Sequence, residues 1–231
     1  MIENIKNNVK YLLQTDNTGH GFDHVMRVFD TTQRILKTVT DVNEEVTLLV
    51  ALLHDVDDYK LFATSENLSN ARHIMTNAGV DENVQKQVLD AISQIGYSKR
   101  LRGMQPTLME AKIVSDADML DAIGVNGIIR CLHYAFARCE TVVFDENIWP
   151  EVDISYQRYK MPNRETDNFI NHFFEKLLKI KDLLYTDYAI EEGKIRHKCM
   201  VDFLIHFFRE QNLSEWQNFL QDYCSKLNKI S

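Results

Sequence analysis

Three short segments hold the residues best suited to chemistry. They are Gly19-His20-Gly21-Phe22-Asp23-His24-Val-Met-Arg27, Ala51-Leu-Leu-His54-Asp55-Val-Asp57-Asp58-Tyr59-Lys60 and Ile113-Val114-Ser115-Asp116-Ala117-Asp118-Met-Leu120-Asp121-Ala-Ile123-Gly124. In the second, wholly apolar turns end in an imidazole beside a carboxylate. A buried carboxylate without a partner is costly, and a bound cation offsets that cost. Neighbouring helical residues point about 100° apart, so the pair shares one ion only near a helix end or across a groove. The alternative is a helix that simply ends there, with Asp57 and Asp58 solvated. Asp118 is set among apolar residues, with Asp121 one turn later on the same face and Asp116 elsewhere. It either needs a partner or belongs to the polar stripe of an amphipathic helix. His24 falls on an apolar helix face with Arg27 three residues on, where a lone histidine is commonly a hydrogen-bonded core residue. His20 lies one turn before it, at the rim of any pocket or capping the helix.

The elements that must position these residues are helices. Ile2, Ile5, Val9, Leu12 and Leu13 recur at helical spacing, and 16–21 break that helix. A second helix is predicted from Phe22 to about Thr38, with Val25, Val28, Phe29, Thr32 and Ile35 on one face. Asp41-Val-Asn-Glu44 resembles a capping box and opens a third, almost wholly apolar helix to about Val56, expected to be central and buried. Ser65 or Asn67 caps the next, and Gly79 closes it. Asp81 starts another, running to about Ile95, and Pro106 sits near the start of a further one. From about Thr141 to Glu165 there is no sustained period, which predicts a long connection of the kind that is functional or mobile. Within it, Tyr156, Arg158, Tyr159 and Lys160 either stack on a base and hold phosphate or, as is commoner for such loop residues, are solvated. Helical periodicity resumes at Phe169 and runs to the end. The reading is an all-α bundle of about ten helices, with a core at about 18–140, a loop at about 141–165 and C-terminal helices at about 166–231.

Composition narrows the classes. The 231 residues carry 26 Lys+Arg against 34 Asp+Glu, a net charge of −8, with 45% hydrophobic and 26% charged residues. This is ordinary globular composition, in a chain long enough to bury roughly 70% of its unfolded surface. The acidic balance argues against a nucleic-acid polymer or membrane surface as partner. With only 8 Gly and 3 Pro, a β-sandwich or Rossmann fold is disfavoured. Cys131, Cys139, Cys199 and Cys224 form no C-x-x-C pair and read as buried free thiols in a reducing cytoplasm. The N-terminus lacks a signal-peptide hydrophobic region, and no stretch reaches the ~18 apolar residues of a membrane helix.

The order His, then His-Asp, then Asp resembles the HD superfamily of metal-dependent phosphohydrolases. The strings DHVMRV, ALLHDVDD and KIVSDADMLDAIG, with NHFFEKLLKIKDLLYTDYAIEEGKIRH near the C-terminus, are similar to a branch of small bacterial HD-domain proteins. The resemblance spans most of the chain and implies a single HD domain over 1–231. It assigns His24, His54, Asp55 and Asp118 as ligands of one divalent ion, with Mn, Fe, Co, Ni or Zn suited to two imidazoles and two carboxylates and Mg admitted. It points to Asp58 as the acid that orients the attacking water, with Asp57 as its competitor. Between the doublet and the long loop the only histidines are His73 and His133, in no recognised motif, which favours one metal and weakens any likeness to diiron oxygenases.

The reaction implied is attack of metal-activated water on a small phosphorylated metabolite, most plausibly a nucleotide. The alternative is a non-enzymatic HD module that binds a nucleotide signal or a protein. Arg27, His20, Lys176, Lys179 and Lys181 are the candidate substrate contacts. Asp23 and Asp121 are the candidates to accept a hydrogen bond from a ligand imidazole. The Tyr- and Phe-rich C-terminal helices either cover the core or pair two copies in a homodimer.

Overall fold

In a computed structural model, residues 1–15, 19, 21–58, 67–137, 143–161, 164, 166 and 168–230 are described, with the side chains of 137 and 228–230 left aside. His20, Ser65 and Cys139 lie outside the described residues. Among the described residues, twelve α-helices and one 3₁₀ segment account for the regular structure, so the fold is all-α. The excess over ten comes from short helices that periodicity does not reveal. Contacts divide the chain into two compact units, Met1–Asp121 and Ala122–Ser231.

The first unit comprises α1 (Ile2–Leu12), α2 (Phe22–Leu36), α3 (Glu44–Leu53), α4 (Ser69–Asn77), α5 (Glu82–Gln94), α6 (Tyr97–Arg100) and α7 (Met109–Asp121). As its apolar sequence demands, α3 is the central helix, packing against α1, α2, α5 and α7. Seven of its residues, from Val46 to Leu53, are buried. Its N-cap is Asn43, whose side chain accepts from the Val46 amide. Asp41, expected to begin a capping box, instead takes a left-handed backbone with φ 58°. The helix ends at Leu53, short of the expected Val56. His54 Nδ1 donates to the Ala51 carbonyl at 2.8 Å, the group that the amide of residue 55 uses in a continuing helix. Pro106 precedes α7 by three residues and is buried. Gly79, with φ +72°, closes α4 in a Schellman motif: its own amide bonds to Thr76 and that of Val80 to Met75.

The second unit comprises α8 (Gly124–Ala137), α9 (Tyr156–Lys160), α10 (Phe169–Glu175), the 3₁₀ segment Leu177–Leu183, α11 (Asp187–Glu210) and α12 (Ser214–Ile230). The sequence reading groups residues to about 140 with the core, but α8 packs on α10 and α11. Aromatic rings fill this unit. Phe173, Phe174, Phe208 and Trp216 are buried, and Trp149 stacks on Trp216 at 4.2 Å with planes 2° apart. In the long connection, Arg158 forks onto Glu151, and Arg164 forms a buried ion pair with Glu175 at 2.8 Å. Arg158, read as a solvated loop residue, is thus paired, and Arg164 is anchored because the buried Glu175 carboxylate requires a cation. Cys131, Cys199 and Cys224 are free thiols as expected, but half-buried rather than buried. Among the described residues, no helix is long and apolar enough to cross a membrane.

Candidate metal centre

Helices α2, α3 and α7 pack pairwise against one another, and each brings part of the cluster. His24 comes from the first turn of α2 and is fully buried. His54 and Asp55 come from the turn that ends α3, and Asp118 from the last turn of α7. Leaving the helix at Leu53 is what allows the adjacent His54 and Asp55 to converge. His24 Nε2 lies 3.3 Å from His54 Nε2, 3.3 Å from Asp55 Oδ2 and 3.6 Å from Asp118 Oδ1. His54 Nε2 lies 3.6 Å from Asp55 Oδ2. His24, His54 and Asp55 offer ligand atoms all within 4.8 Å of one another.

The partners of the other ring nitrogens fix the tautomers. His24 Nδ1 is 2.7 Å from Asp121 Oδ2. That carboxylate also accepts from Arg27 Nε and Nη2 at 2.7 and 3.1 Å. An ionised carboxylate only accepts, so His24 carries its proton on Nδ1. His54 Nδ1 faces the Ala51 carbonyl, which also only accepts. In the neutral imidazoles both Nε2 atoms therefore present lone pairs, and the two face each other beside two carboxylates. Such an arrangement is repulsive without a cation among the four groups. The close group of two imidazoles and the Asp55 carboxylate suits a divalent ion of the Mn–Zn series, and Asp118, not part of that group, approaches it at His24.

The remaining sequence candidates fall in different places. Asp121 touches His24 directly. Asp23 pairs with Arg27 at 2.7 Å and also accepts from the His24 backbone amide rather than its ring. Partial desolvation of Asp23 raises its pKa, but the Arg27 guanidinium outweighs this and holds the carboxyl below its ordinary value. Arg27, expected at the substrate, spends Nε, Nη1 and Nη2 on these two carboxylates. Asp57 accepts from the Asn70 and Ala71 amides at 2.9 Å each. Asp58 follows the turn, half-buried, its amide bonded to the Asp55 carbonyl at 3.1 Å. Lys176, Lys179 and Lys181 belong to the C-terminal unit. Lys176 caps α10, Lys179 donates to the Val152 carbonyl, and Lys181 pairs with Asp182. Burial pushes the Lys179 pKa down, against the pull of Asp153 and Glu175.

Sequence reading missed two neighbours of the cluster. Asn70 binds the Val56 carbonyl at 2.7 Å, and nothing in its local sequence marks it. Arg100 reaches Ser115 Oγ at 3.4 Å, one turn before Asp118 on α7. The basic run Lys99-Arg100-Leu-Arg102 was its available signal.

The model of the HD-domain family matches residues 21–123. YpgQ of Bacillus subtilis is 30% identical over 208 residues, 87% of this chain and 89% of that protein. The chain belongs to the HD superfamily. A solved Lactobacillus plantarum protein matches it with a TM-score of 0.78 at 31% identity, over 91% of this chain and 96% of that one. A Bacillus thuringiensis HD-superfamily hydrolase gives 0.69 at 31% identity, with the same coverage. The structure of B. subtilis YpgQ in complex with ADP gives 0.69 at 24% identity, over 91% and 97%. The fold is that of the HD-superfamily hydrolases, which places the His–Asp cluster in a metal-binding class of domain.

Proposed function

We propose that this HD protein is a metal-dependent phosphohydrolase acting on a small phosphorylated metabolite, with a nucleotide as the favoured substrate class. The observation that carries this reading is the approach of the two Nε2 atoms to 3.3 Å beside Asp55 and Asp118. The ADP complex of YpgQ supports the nucleotide class. In this reading His24, His54, Asp55 and Asp118 hold one divalent ion. The ion supplies Lewis acidity, which makes water a nucleophile near neutral pH and polarises a phosphoryl oxygen.

The chain's own residues then have distinct tasks. Asp121 holds the His24 proton on Nδ1, and the Ala51 carbonyl does the same for His54, so both Nε2 atoms stay aimed inward. Arg27 keeps Asp121 ionised. Asp58 orients the attacking water and takes its proton on a carboxylate oxygen. Asp57 is the weaker candidate for that task, because both of its oxygens accept from the start of α4.

The test is metal quantification on untagged protein, followed by phosphate and pyrophosphate release from nucleoside mono-, di- and triphosphates with Mn²⁺, Co²⁺, Ni²⁺ or Mg²⁺. Release that depends on metal is expected, with metal and release both lost in Asp118→Ala. Asp58→Asn is expected to keep the metal and lose about 10²–10⁴-fold in rate. A folded Asp118→Ala protein at full activity overturns the ligand set. Stoichiometric metal without hydrolysis of any nucleotide overturns the nucleotide hydrolase reading and favours a binding module.

A further inference from the structure

The turn that carries His54 and Asp55 leaves the regular helix α3 at Leu53, with His54 still in the right-handed helical region. Within the turn, the Val56 amide reaches the Leu53 carbonyl at 3.4 Å and the Asp58 amide reaches Asp55 at 3.1 Å. Its far end is tied to another helix. Asp57 Oδ1 accepts from the Asn70 amide and Oδ2 from the Ala71 amide, both at 2.9 Å. In return the Asn70 side chain donates to the Val56 carbonyl at 2.7 Å. Three hydrogen bonds thus join two adjacent residues of the turn to two adjacent residues of α4, across 13 positions of chain.

The start of α4 depends on this arrangement. Its N-cap position holds Leu68, which offers no side-chain acceptor, so the first-turn amides would otherwise lack a protein acceptor from their own cap. Asn67 and Leu68 both take left-handed backbones, with φ 53° and 56°. Such a conformation is strained for leucine and persists where the surroundings over-determine it.

We propose that the Asp57–Asn70 clamp is a positioning device that sets the coordination geometry of His54 and Asp55, and that Asp57 acts through the turn rather than on the reacting water. This rests on the metal reading above. The clamp ties the ligand turn to α4 in addition to the turn's own bonds. Cutting it frees the turn to shift, and a ligand pair displaced by a fraction of an ångström binds the ion more weakly.

Titration of Mn²⁺ alone, followed by electron paramagnetic resonance of the free ion, tests this, with helicity checked by circular dichroism. Asp57→Ala is expected to weaken Mn²⁺ binding by about 10–100-fold. Asp57→Asn should fall between it and wild type, because the amide retains one acceptor. Asp81→Ala is the matched control: Asp81 caps α5 through the Asn83 and Val84 amides but is not attached to the ligand turn. It should lower the thermal midpoint while leaving Mn²⁺ affinity within about twofold of wild type. Should Asp57→Ala fail to fold, Asn70→Ala, which removes only the bond to Val56, is expected to weaken binding several-fold. Folded Asp57→Ala, or Asn70→Ala in its place, binding Mn²⁺ like wild type overturns the clamp, as does an equal loss in Asp81→Ala. A wild-type protein that binds no Mn²⁺ overturns the metal reading itself.

Discussion

Asp121 is the side chain on which the charge state of the cluster turns. It is 3% exposed, and alone it would tend to take up a proton. Arg27 prevents this with two hydrogen bonds, and the ionised carboxylate then fixes the His24 tautomer. Desolvation acts to lower the Arg27 pKa, yet the hydrogen bonds it donates to Asp121 and Asp23 raise it above its already high ordinary value. Arg27→Ala leaves Asp121 buried without its cation. With Arg27 about a third exposed, the cost is set at about 2 kcal/mol, below the full penalty for breaking a buried pair. Mn²⁺ affinity should fall about tenfold or more. Thermal unfolding and metal titration check this; a raised KM with unchanged stability and metal affinity would return Arg27 to the substrate. The sequence makes His24, His54, Asp55 and Asp118 visible because each is polar in apolar surroundings. It does not separate Asp57 from Asp58, since neighbouring carboxylates look alike until the start of α4 chooses one.

At the scale of elements, periodicity reveals that helices exist and where their apolar faces lie, but it does not set their ends. The ends are fixed by single hydrogen bonds, several of them from distant residues. Asp41 and Asn43 are both good caps by type, and only the backbone direction decides between them. Asn43→Ala should therefore destabilise the first unit by about 1 kcal/mol. Asp41→Gly, at a position already left-handed, should stay within about 0.5 kcal/mol of wild type. Urea unfolding of the two variants distinguishes them, and a larger loss at Asp41 would restore the capping box. Likewise α3 stops at Leu53 because of His54 and Ala51, and α4 starts with help from Asp57. No window of local sequence contains both halves of that last interaction.

The whole molecule has two cores of different composition, aliphatic around α3 and aromatic around α10–α12. The second contains a titratable fault. Burial of His197 on α11 lowers its pKa below the ordinary 6.5, nearby Lys181 adds to this, and Asp182 and a hydrogen bond to the Leu178 backbone oppose it. Its Nδ1 is buried and has no hydrogen-bond partner among the described residues. The folded state therefore binds this proton later than the unfolded chain as pH falls. Stability from this group is constant above about pH 6.5 and declines as pH drops below it, until the folded pKa is reached. Amide protection factors across Asp187–Glu210, corrected for the intrinsic pH dependence of exchange, should fall on acidification through that window, and His197→Gln should remove much of the dependence. An unchanged pH profile in His197→Gln would show that another group is responsible.

The stacked indoles of Trp149 and Trp216 have an optical consequence. They are the chain's 2 tryptophans, and both belong to Ala122–Ser231. Tryptophan emission therefore arises in the unit that carries none of the His–Asp cluster. The unit that carries the His–Asp cluster is dark at those wavelengths. A quantum-yield change on adding a diamagnetic ion such as Zn²⁺ would originate at one end of the sequence and be read at the other. The unlabelled protein is in this sense its own reporter of whether one unit senses what the other holds.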